Sequence, residues 1–117
     1  MRKITREAAE AFCRRKPLSK SNTTVTVTDD AVAMYLHGNL IAVQNLHDAS
    51  YILTVTDAGW RTATTKERLN GLLRTVFPLS EVFIYQKDYN WYIHQQGDDY
   101  EMGYKTLIRL DAGVVSE

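Results

Sequence analysis

The sequence has 117 residues, of which 44% are hydrophobic and 24% are charged, and its formal net charge is zero. This size fits one compact globular domain over residues 1–117. No apolar run approaches the roughly 20 residues of a membrane-spanning helix, and we expect a soluble, cytoplasmic protein that makes no membrane contact. A single cysteine, Cys13, excludes an internal disulfide and is expected to be a half-buried helix residue.

The charges alternate in blocks along the chain. Residues 1–20 contain seven Lys or Arg and two Glu, a net charge of +5, and residues 59–77 contain four Lys or Arg and one Glu, a net charge of +3. The stretches 21–58 and 78–117 each carry a net charge of −4. The basic blocks coincide with the predicted helices. Either they form one positive face for an anionic partner, or they pair with the acids of the strands.

The N-terminal half predicts one helix followed by four antiparallel strands. Thr5 is a suitable N-cap for a helix over residues 6–15, which Pro17 ends, and residues 16–22 have the composition of a polar connector. Residues 37–39 (His-Gly-Asn) are typical of a tight hairpin. Residues 23–28 alternate with period two and are rich in β-branched residues, which predicts a strand, and further strands are predicted over residues 31–36, 40–44 and 49–56.

A second helix is predicted over residues 65–76. Thr64 followed by Glu67 has the pattern of a capping box, in which each side chain satisfies a free backbone N–H of the first turn. Gly71 inside this helix costs up to about 1 kcal/mol relative to Ala, so it indicates close packing against another backbone. The apolar positions at helical spacing form one buried stripe of Leu69, Leu72, Leu73 and Val76.

The C-terminal part predicts further strands. Residues 81–86 and 90–95 form a hairpin, residues 98–101 a solvated turn, and residues 103–110 a last strand. Residues 1–4 and 111–117 are expected to fray. The element order α-ββββ-α-ββ(β) predicts an α+β fold, with a small antiparallel sheet of about six or seven strands packed with two helices.

The chain contains no pattern that predicts catalysis. His37, His47 and His94 lack the spacing of a metal site. A Gly-rich phosphate loop and a nucleophile elbow are also absent from the sequence. We therefore expect a protein that is not an enzyme and binds no cofactor or metal.

Aromatic residues give the main binding signal. They concentrate between residues 85 and 104, after the basic second helix. Alternation places Trp91 and Ile93 on one face of a strand and Tyr92 and His94 on the other, so one pair belongs to the core. Exposed Tyr and Trp are favoured interface anchors. The predicted partner-binding residues are Trp60, Arg61, Lys66, Arg68, Arg74, Tyr85, Tyr89 and Trp91.

Residues 59–70 have the pattern G-W-x-T-x-T-T-K-E-R-L-N, and weaker motifs lie at residues 2–5, 34–42 and 85–92. Together these segments resemble a family of small proteins of unassigned function that tailed bacteriophages encode. The resemblance implies a phage origin and supplies no catalytic residues. Small non-enzymatic phage proteins often resemble inhibitors or adaptors of host proteins, including components of antiviral defence.

We therefore expect a phage accessory protein that binds a host bacterial protein and inhibits or redirects it. The alternative is a nucleic-acid-binding module, in which the cations of the second helix contact phosphates and Tyr89 or Trp91 stacks on bases. Steep weakening by salt would favour that alternative. Exposed sheet edges also allow a homodimer, and a structural subunit of the virion is a third alternative. The identity of the partner and the binding face stay open.

Overall fold

The computed structural model describes residues 1–47, 52–111 and 114–116. These residues form two helices and ten strands in which all paired strands are antiparallel, so the predicted α+β class is confirmed. In chain order the elements are α1 (Lys3–Arg14), β1 (Leu18–Lys20), β2 (Thr23–Val27), β3 (Ala31–Leu36), β4 (Asn39–Asn45), β5 (Ile52–Val55), α2 (Ala63–Val76), β6 (Val82–Lys87), β7 (Asn90–Gln95), β8 (Asp98–Met102), β9 (Ile108–Asp111) and β10 (Val114–Ser116).

The strands form two sheets rather than the single sheet expected. One sheet has the order β1-β2-β3-β4-β5-β9-β10, and the other is the meander β6-β7-β8. The helix α2 separates β5 from β6 in sequence. It also contacts β6 directly, so the second sheet is attached to the rest of the molecule through this helix.

Two strands lie where the sequence predicted none. β1 occupies part of the expected connector and pairs with β2, with Leu18 opposite Val25. β8 occupies the expected acidic turn, and pairs with β7 along its whole length. Asp and Glu have low strand propensity, but pairing with a neighbouring strand overrides that preference. The last predicted strand over residues 103–110 is a loop until β9 begins at Ile108.

The predicted capping box of α2 is wrong. The N-cap is Thr62, whose side-chain oxygen accepts a hydrogen bond from the backbone N–H of Thr65 at 3.1 Å. Glu67 instead faces α1, where its carboxylate accepts from the backbone N–H of Arg2 at 3.3 Å and from the hydroxyl of Thr5. Because these partners are far away in sequence, a local pattern could not reveal them.

The start of α1 also differs from the prediction. Arg2 is the N-cap, without a side-chain hydrogen bond, and Thr5 is buried inside the helix. Lys3 and Ile4, expected to fray, form its first turn. At the other end Arg15 adopts a left-handed conformation before Pro17. Of the C-terminal residues expected to fray, 114–116 form β10, while 112–113 and 117 lie outside the described residues.

The core lies between the helices and the two sheets. α1 packs on β1, β2 and β3, and α2 packs on α1, β4 and β6. Leu69, Leu72 and Leu73 are fully buried and Val76 is partly buried, which confirms the predicted stripe. Burying each such leucine contributes about 1.5–3 kcal/mol. Neither α1 nor α2 is long and apolar enough to cross a bilayer.

The predicted hairpins fall at tight turns. His37 and Gly38 join β3 to β4 with φ angles of 52° and 79°, and Asp88 and Tyr89 join β6 to β7 with φ angles of 51° and 69°. The predicted strand over residues 49–56 is present as β5, although residues 49–51 lie outside the described residues. Cys13, expected to be half-buried, is exposed on α1.

Candidate functional site

A fully buried carboxylate, Asp57, fixes the loop that leads into α2. Its Oδ1 accepts hydrogen bonds from the backbone N–H groups of Gly59 at 2.7 Å and Lys105 at 2.9 Å, and its Oδ2 accepts from Nε of Arg61 at 2.7 Å. Arg61 also donates to the carbonyl of Met102. These four contacts, which we call the Asp57 clamp, join the loop before α2 to the loop between β8 and β9.

Exposed aromatic and apolar side chains lie in the two loops that the Asp57 clamp joins. Trp60 is 59% exposed, and Tyr104 and Leu107 in the facing loop are also exposed. A cavity of about 410 Å³ lies beside Trp60. Its walls come from the β3–β4 hairpin, the clamp and the first turn of α2: Leu36, His37, Asn39, Ile41, Asp57, Trp60, Thr62, Thr64 and Thr65. Both carboxylate oxygens of Asp57 already accept hydrogen bonds within the clamp. The pocket therefore suits an apolar side chain better than a charged one.

The second sheet carries a group of partly exposed rings on its outer side. Phe83 and Tyr85 from β6 lie opposite His94 and Tyr92 from β7, and we call these four residues the aromatic face. The ring centroids of Phe83 and His94 are 4.8 Å apart, and those of Tyr85 and Tyr92 are 5.5 Å apart, both pairs stacked. The inner side of the same strands, with Trp91 and Ile93, is buried. Alternation grouped these two residues but did not predict which side is the core.

Carboxylates border the aromatic face along β8. Asp99 lies opposite His94, and Glu101 lies opposite Tyr92. Nδ1 of His94 is 2.9 Å from Oδ1 of Asp99. Hydrogen bonds from His94 and then from Tyr85 lower the pKa of Asp99, while desolvation, followed by Asp99, raises the pKa of Tyr85. Glu101 forms no ion pair within residues 1–47, 52–111 and 114–116.

Arg68, predicted to bind a partner, is a core residue with a relative exposure of 1%. Its Nε donates to the hydroxyl of Thr23 at 3.0 Å, and its Nη1 donates to the hydroxyl of Thr5 and to Oε1 of Glu67, both at 2.6 Å. Desolvation lowers the pKa of Arg68, against the attraction of Glu67. The guanidinium thus ties α2 to α1 and β2, and we correct its assignment from surface contact to structural residue.

Three further predicted contacts also make internal contacts. Trp91 is 1% exposed, because its strand packs that side against the core. Arg61 is held by the Asp57 clamp, with its guanidinium carbon 5.6 Å from the centre of the Trp91 ring. Lys66 is half-buried, and its ammonium lies 5.8 Å from the same ring. The basic start of α2 is therefore largely engaged in internal contacts.

The remaining predicted contacts stay accessible but lie apart. Trp60 belongs to the Asp57 clamp, Tyr85 to the aromatic face, and Arg74 to the exposed side of α2. Tyr89, at the tip of the β6–β7 turn, is 91% exposed. The eight predicted residues therefore do not form one surface.

Sequence reasoning missed several surface residues. Phe83 could have been placed beside Tyr85, since alternation along β6 puts both on the same side. Glu101 had no such signal, because its strand was predicted as a turn. Tyr104 and Leu107 lie in a loop that was predicted as a strand, and the Asp57 clamp joins this loop to the one that carries Trp60.

The three histidines occupy separate places. His37 is in the β3–β4 turn, His47 contacts Asp30, and His94 belongs to the aromatic face. Among the residues that the structure describes, no three His, Cys, Asp or Glu side chains are grouped as a metal site.

Exposed positive charge is concentrated on α1 rather than α2. Lys3 and Lys20 pair with Glu7 at 3.8 and 2.7 Å, and these contacts lower the pKa of Glu7. The outer side of α1 and the turn after it expose Lys3, Arg6, Arg14, Arg15 and Lys16. These residues form the accessible basic surface near the N-terminus.

A family model described as the Kyanoviridae Gp96 protein matches residues 1–107. No curated protein matches the chain. No solved structure matches it either.

Proposed function

The chain belongs to the Kyanoviridae Gp96 protein family, and we propose that this phage protein acts without catalysis, by binding a bacterial host protein through the aromatic face. One observation carries the proposal. Four ring side chains lie together on the outer side of β6 and β7, and one of them, Phe83, is 41% exposed. Rings in this position are not needed for the core, which the opposite side of the same strands supplies.

The aromatic face has the physical properties of an interface. Tyr and Phe bury large areas and keep few rotatable bonds, so they contribute much contact for little loss of side-chain entropy. Antiparallel pairing with β7 fixes the backbone of β6, and stacking fixes the rings relative to one another. A partner therefore meets a surface whose side chains are already ordered.

Steric occupancy is the proposed mode of action. A standard interface needs about 800 Å² from each partner, which the aromatic face and its surrounding residues can supply. Binding would cover a surface that the host protein uses for its own substrate or partner, in the cytoplasm of the infected cell. A component of antiviral defence is the class of target that we propose to test first.

Affinity capture from host lysate tests this proposal. The tagged protein is compared with the double variant Tyr85→Ala and Tyr92→Ala, and captured proteins are identified by mass spectrometry. We expect one host protein with the parent chain and loss of that protein with the double variant. Tyr35→Ala is the matched control, because Tyr35 is a half-buried tyrosine on the larger sheet. Retention by the double variant, at unchanged circular dichroism, would place the interface elsewhere.

Nucleic-acid binding is a second candidate, favoured by the basic surface of α1. Arg6 and Arg14 lie on its exposed side, opposite the buried Ala8 and Phe12. Phosphate contacts there would release counterions, and affinity would fall steeply with salt. Arg6→Glu with Arg14→Glu should then abolish binding to a DNA probe, whereas Arg74→Glu on α2 should retain it. Binding that survives the α1 reversals would exclude this surface.

A further inference from the structure

We propose that the aromatic face recognises an arginine side chain of its partner, held over the row Tyr85–Tyr92–Glu101. This inference rests on the proposed function, because it names the chemistry that the same surface would select. It concerns the carboxylates along the border of the face as well as the rings.

Two parallel rows cross the three strands of the second sheet. In one row Phe83 of β6, His94 of β7 and Asp99 of β8 lie opposite one another. In the next row the corresponding residues are Tyr85, Tyr92 and Glu101. In each row, a ring on β6 and a ring on β7 are followed by a carboxylate on the edge strand β8. The repetition places a negative charge at the end of each ring pair.

The row with Glu101 is the one open to a ligand. In the other row, Asp99 already makes its contact with the imidazole of His94 at 2.9 Å. Glu101 is exposed and forms no ion pair in the described part of the chain. Beside it the rings of Tyr85 and Tyr92 are stacked, with centroids 5.5 Å apart and planes inclined by 21°. The row therefore continues from a stacked pair of rings to an unused carboxylate.

A guanidinium fits between this stacked pair and the carboxylate better than other side chains. It is planar and weakly hydrated, so it stacks on aromatic rings, and its N–H groups can donate in pairs to one carboxylate. The ammonium of lysine is compact and strongly hydrated, and it gains less from stacking. An anionic partner is disfavoured here because Asp98, Asp99 and Glu101 make the β8 edge negative. The nucleic-acid alternative therefore does not extend to this face.

One internal cation lies near the row. Lys87 follows Tyr85 on the same side of β6 and faces Asn90 across the hairpin. It lowers the pKa of Asp99, although less than His94 and Tyr85 do, and it forms no salt bridge with Glu101 among the described residues. Lys87 competes with an incoming guanidinium for negative charge, so its removal should strengthen binding.

The test is an NMR titration with N-acetylarginine methylamide as the probe. We expect saturable shifts of the Tyr85 and Tyr92 ring resonances, with a dissociation constant in the millimolar range, which is roughly 4 kcal/mol of binding. The corresponding lysine amide should bind more weakly. The citrulline amide, an uncharged isostere of arginine, should not shift these rings. Equal shifts with arginine and citrulline would overturn the proposal.

Single substitutions test whether Glu101 is the carboxylate that binds the arginine probe. Glu101→Gln should weaken the arginine probe about tenfold, as expected when a charged hydrogen-bond partner is lost. Asp98→Asn is the matched control, because Asp98 is an exposed acid on the same strand that lies opposite Gln95, three residues from Glu101 and on the other side of the strand. Lys87→Gln should bind the probe more tightly. Equal losses for Glu101→Gln and Asp98→Asn would show a general charge effect and contradict the assignment.

The two proposals fail in different ways. If the arginine probe does not bind, but the Tyr85→Ala and Tyr92→Ala variant still loses its host protein, the aromatic face binds by contacts other than arginine. If the host protein is retained by that double variant, the proposed function itself is wrong.

Discussion

Arg68 and Glu67 act as a structural pair between two helices. Arg68 contributes three donors to Thr5, Thr23 and Glu67, and Glu67 also accepts from the backbone of Arg2. A buried charge is stable only with such partners, because desolvation is costly. These charged side chains at the start of α2 therefore stabilise the fold. They are not available to contact a partner.

Glu67→Gln should lower the free energy of unfolding by about 1–3 kcal/mol, because the buried guanidinium loses its anion. Urea unfolding measures this change. Glu10→Gln is the control, since Glu10 is exposed on the outer side of α1. Equal stability of the two variants would mean that the Arg68 network contributes nothing to the packing of α1 on α2.

Gly71 of α2 lies against Thr5 of α1. A Cβ at Gly71 would collide with Cγ2 of Thr5, so the close neighbour is a side chain and not the backbone that the sequence predicted. Gly71→Ala should destabilise the protein by about 1–3 kcal/mol, because overpacking exceeds the gain of about 1 kcal/mol in helix propensity. The melting temperature in thermal unfolding shows whether Gly71→Ala destabilises the protein. A stabilised Gly71→Ala variant would show that the helices can separate at little cost.

At the scale of elements, one side chain joins α2 to the second sheet. The Nδ2 of Asn70 donates to the carbonyl of Ile84 at 2.9 Å, and the N–H of Ile84 donates to Oδ1 of Asn70 at 2.6 Å. The amide of Asn70 thus pairs with β6 as a neighbouring strand would. This contact positions the strand that carries Phe83 and Tyr85.

Asn70→Ala should release β6 from α2 and cost about 1–3 kcal/mol, because two buried backbone groups lose their partner. Hydrogen exchange should become faster in β6 and β7, with little change in β2 and β3. Arg74→Ala, one turn further along α2 on its exposed side, provides the comparison. Uniform exchange changes in both sheets would argue against this local role.

Elements with a clear local pattern could be predicted from the sequence. The strand over residues 31–36 coincides with β3 because the apolar run AVAMYL ends at a His-Gly turn. The leucine stripe of α2 was equally clear. β8 was missed because DDYEM lacks strand propensity and depends on β7. The start of α2 was misplaced because Thr62 and Thr64 are both suitable caps, and only the chain fold distinguishes them.

The candidate site was harder to predict than the fold. Alternation separated Trp91 and Ile93 from Tyr92 and His94, but it could not say which pair meets α2. The cations at the start of α2 were assigned to a surface, because the sequence does not show that Asp57 and Glu67 hold two of them. Long-range contacts of this kind decide which charges remain accessible.

At the scale of the whole molecule, zero net charge conceals two different sides. α1 exposes a basic surface, whereas the carboxylates of β8 make the border of the aromatic face negative. α2 contacts both α1 and β6. The expected pairing of helix cations with strand acids is absent from the ion pairs of the described residues, since Arg61 and Asp57 both lie in the loop before α2. On α1, Lys3 contacts Glu7 of the same helix. Such separation favours two kinds of contact on one small protein.

In-cell photocrosslinking tests the central claim most directly. A photoreactive benzoylphenylalanine is placed at Phe83, on the aromatic face, or at Tyr104, on the Asp57 clamp, and infected host cells are irradiated. We predict that the probe at Phe83 captures one host protein and that the probe at Tyr104 does not. Capture of that protein from Tyr104 and not from Phe83 would contradict the account and assign the interface to the Asp57 clamp.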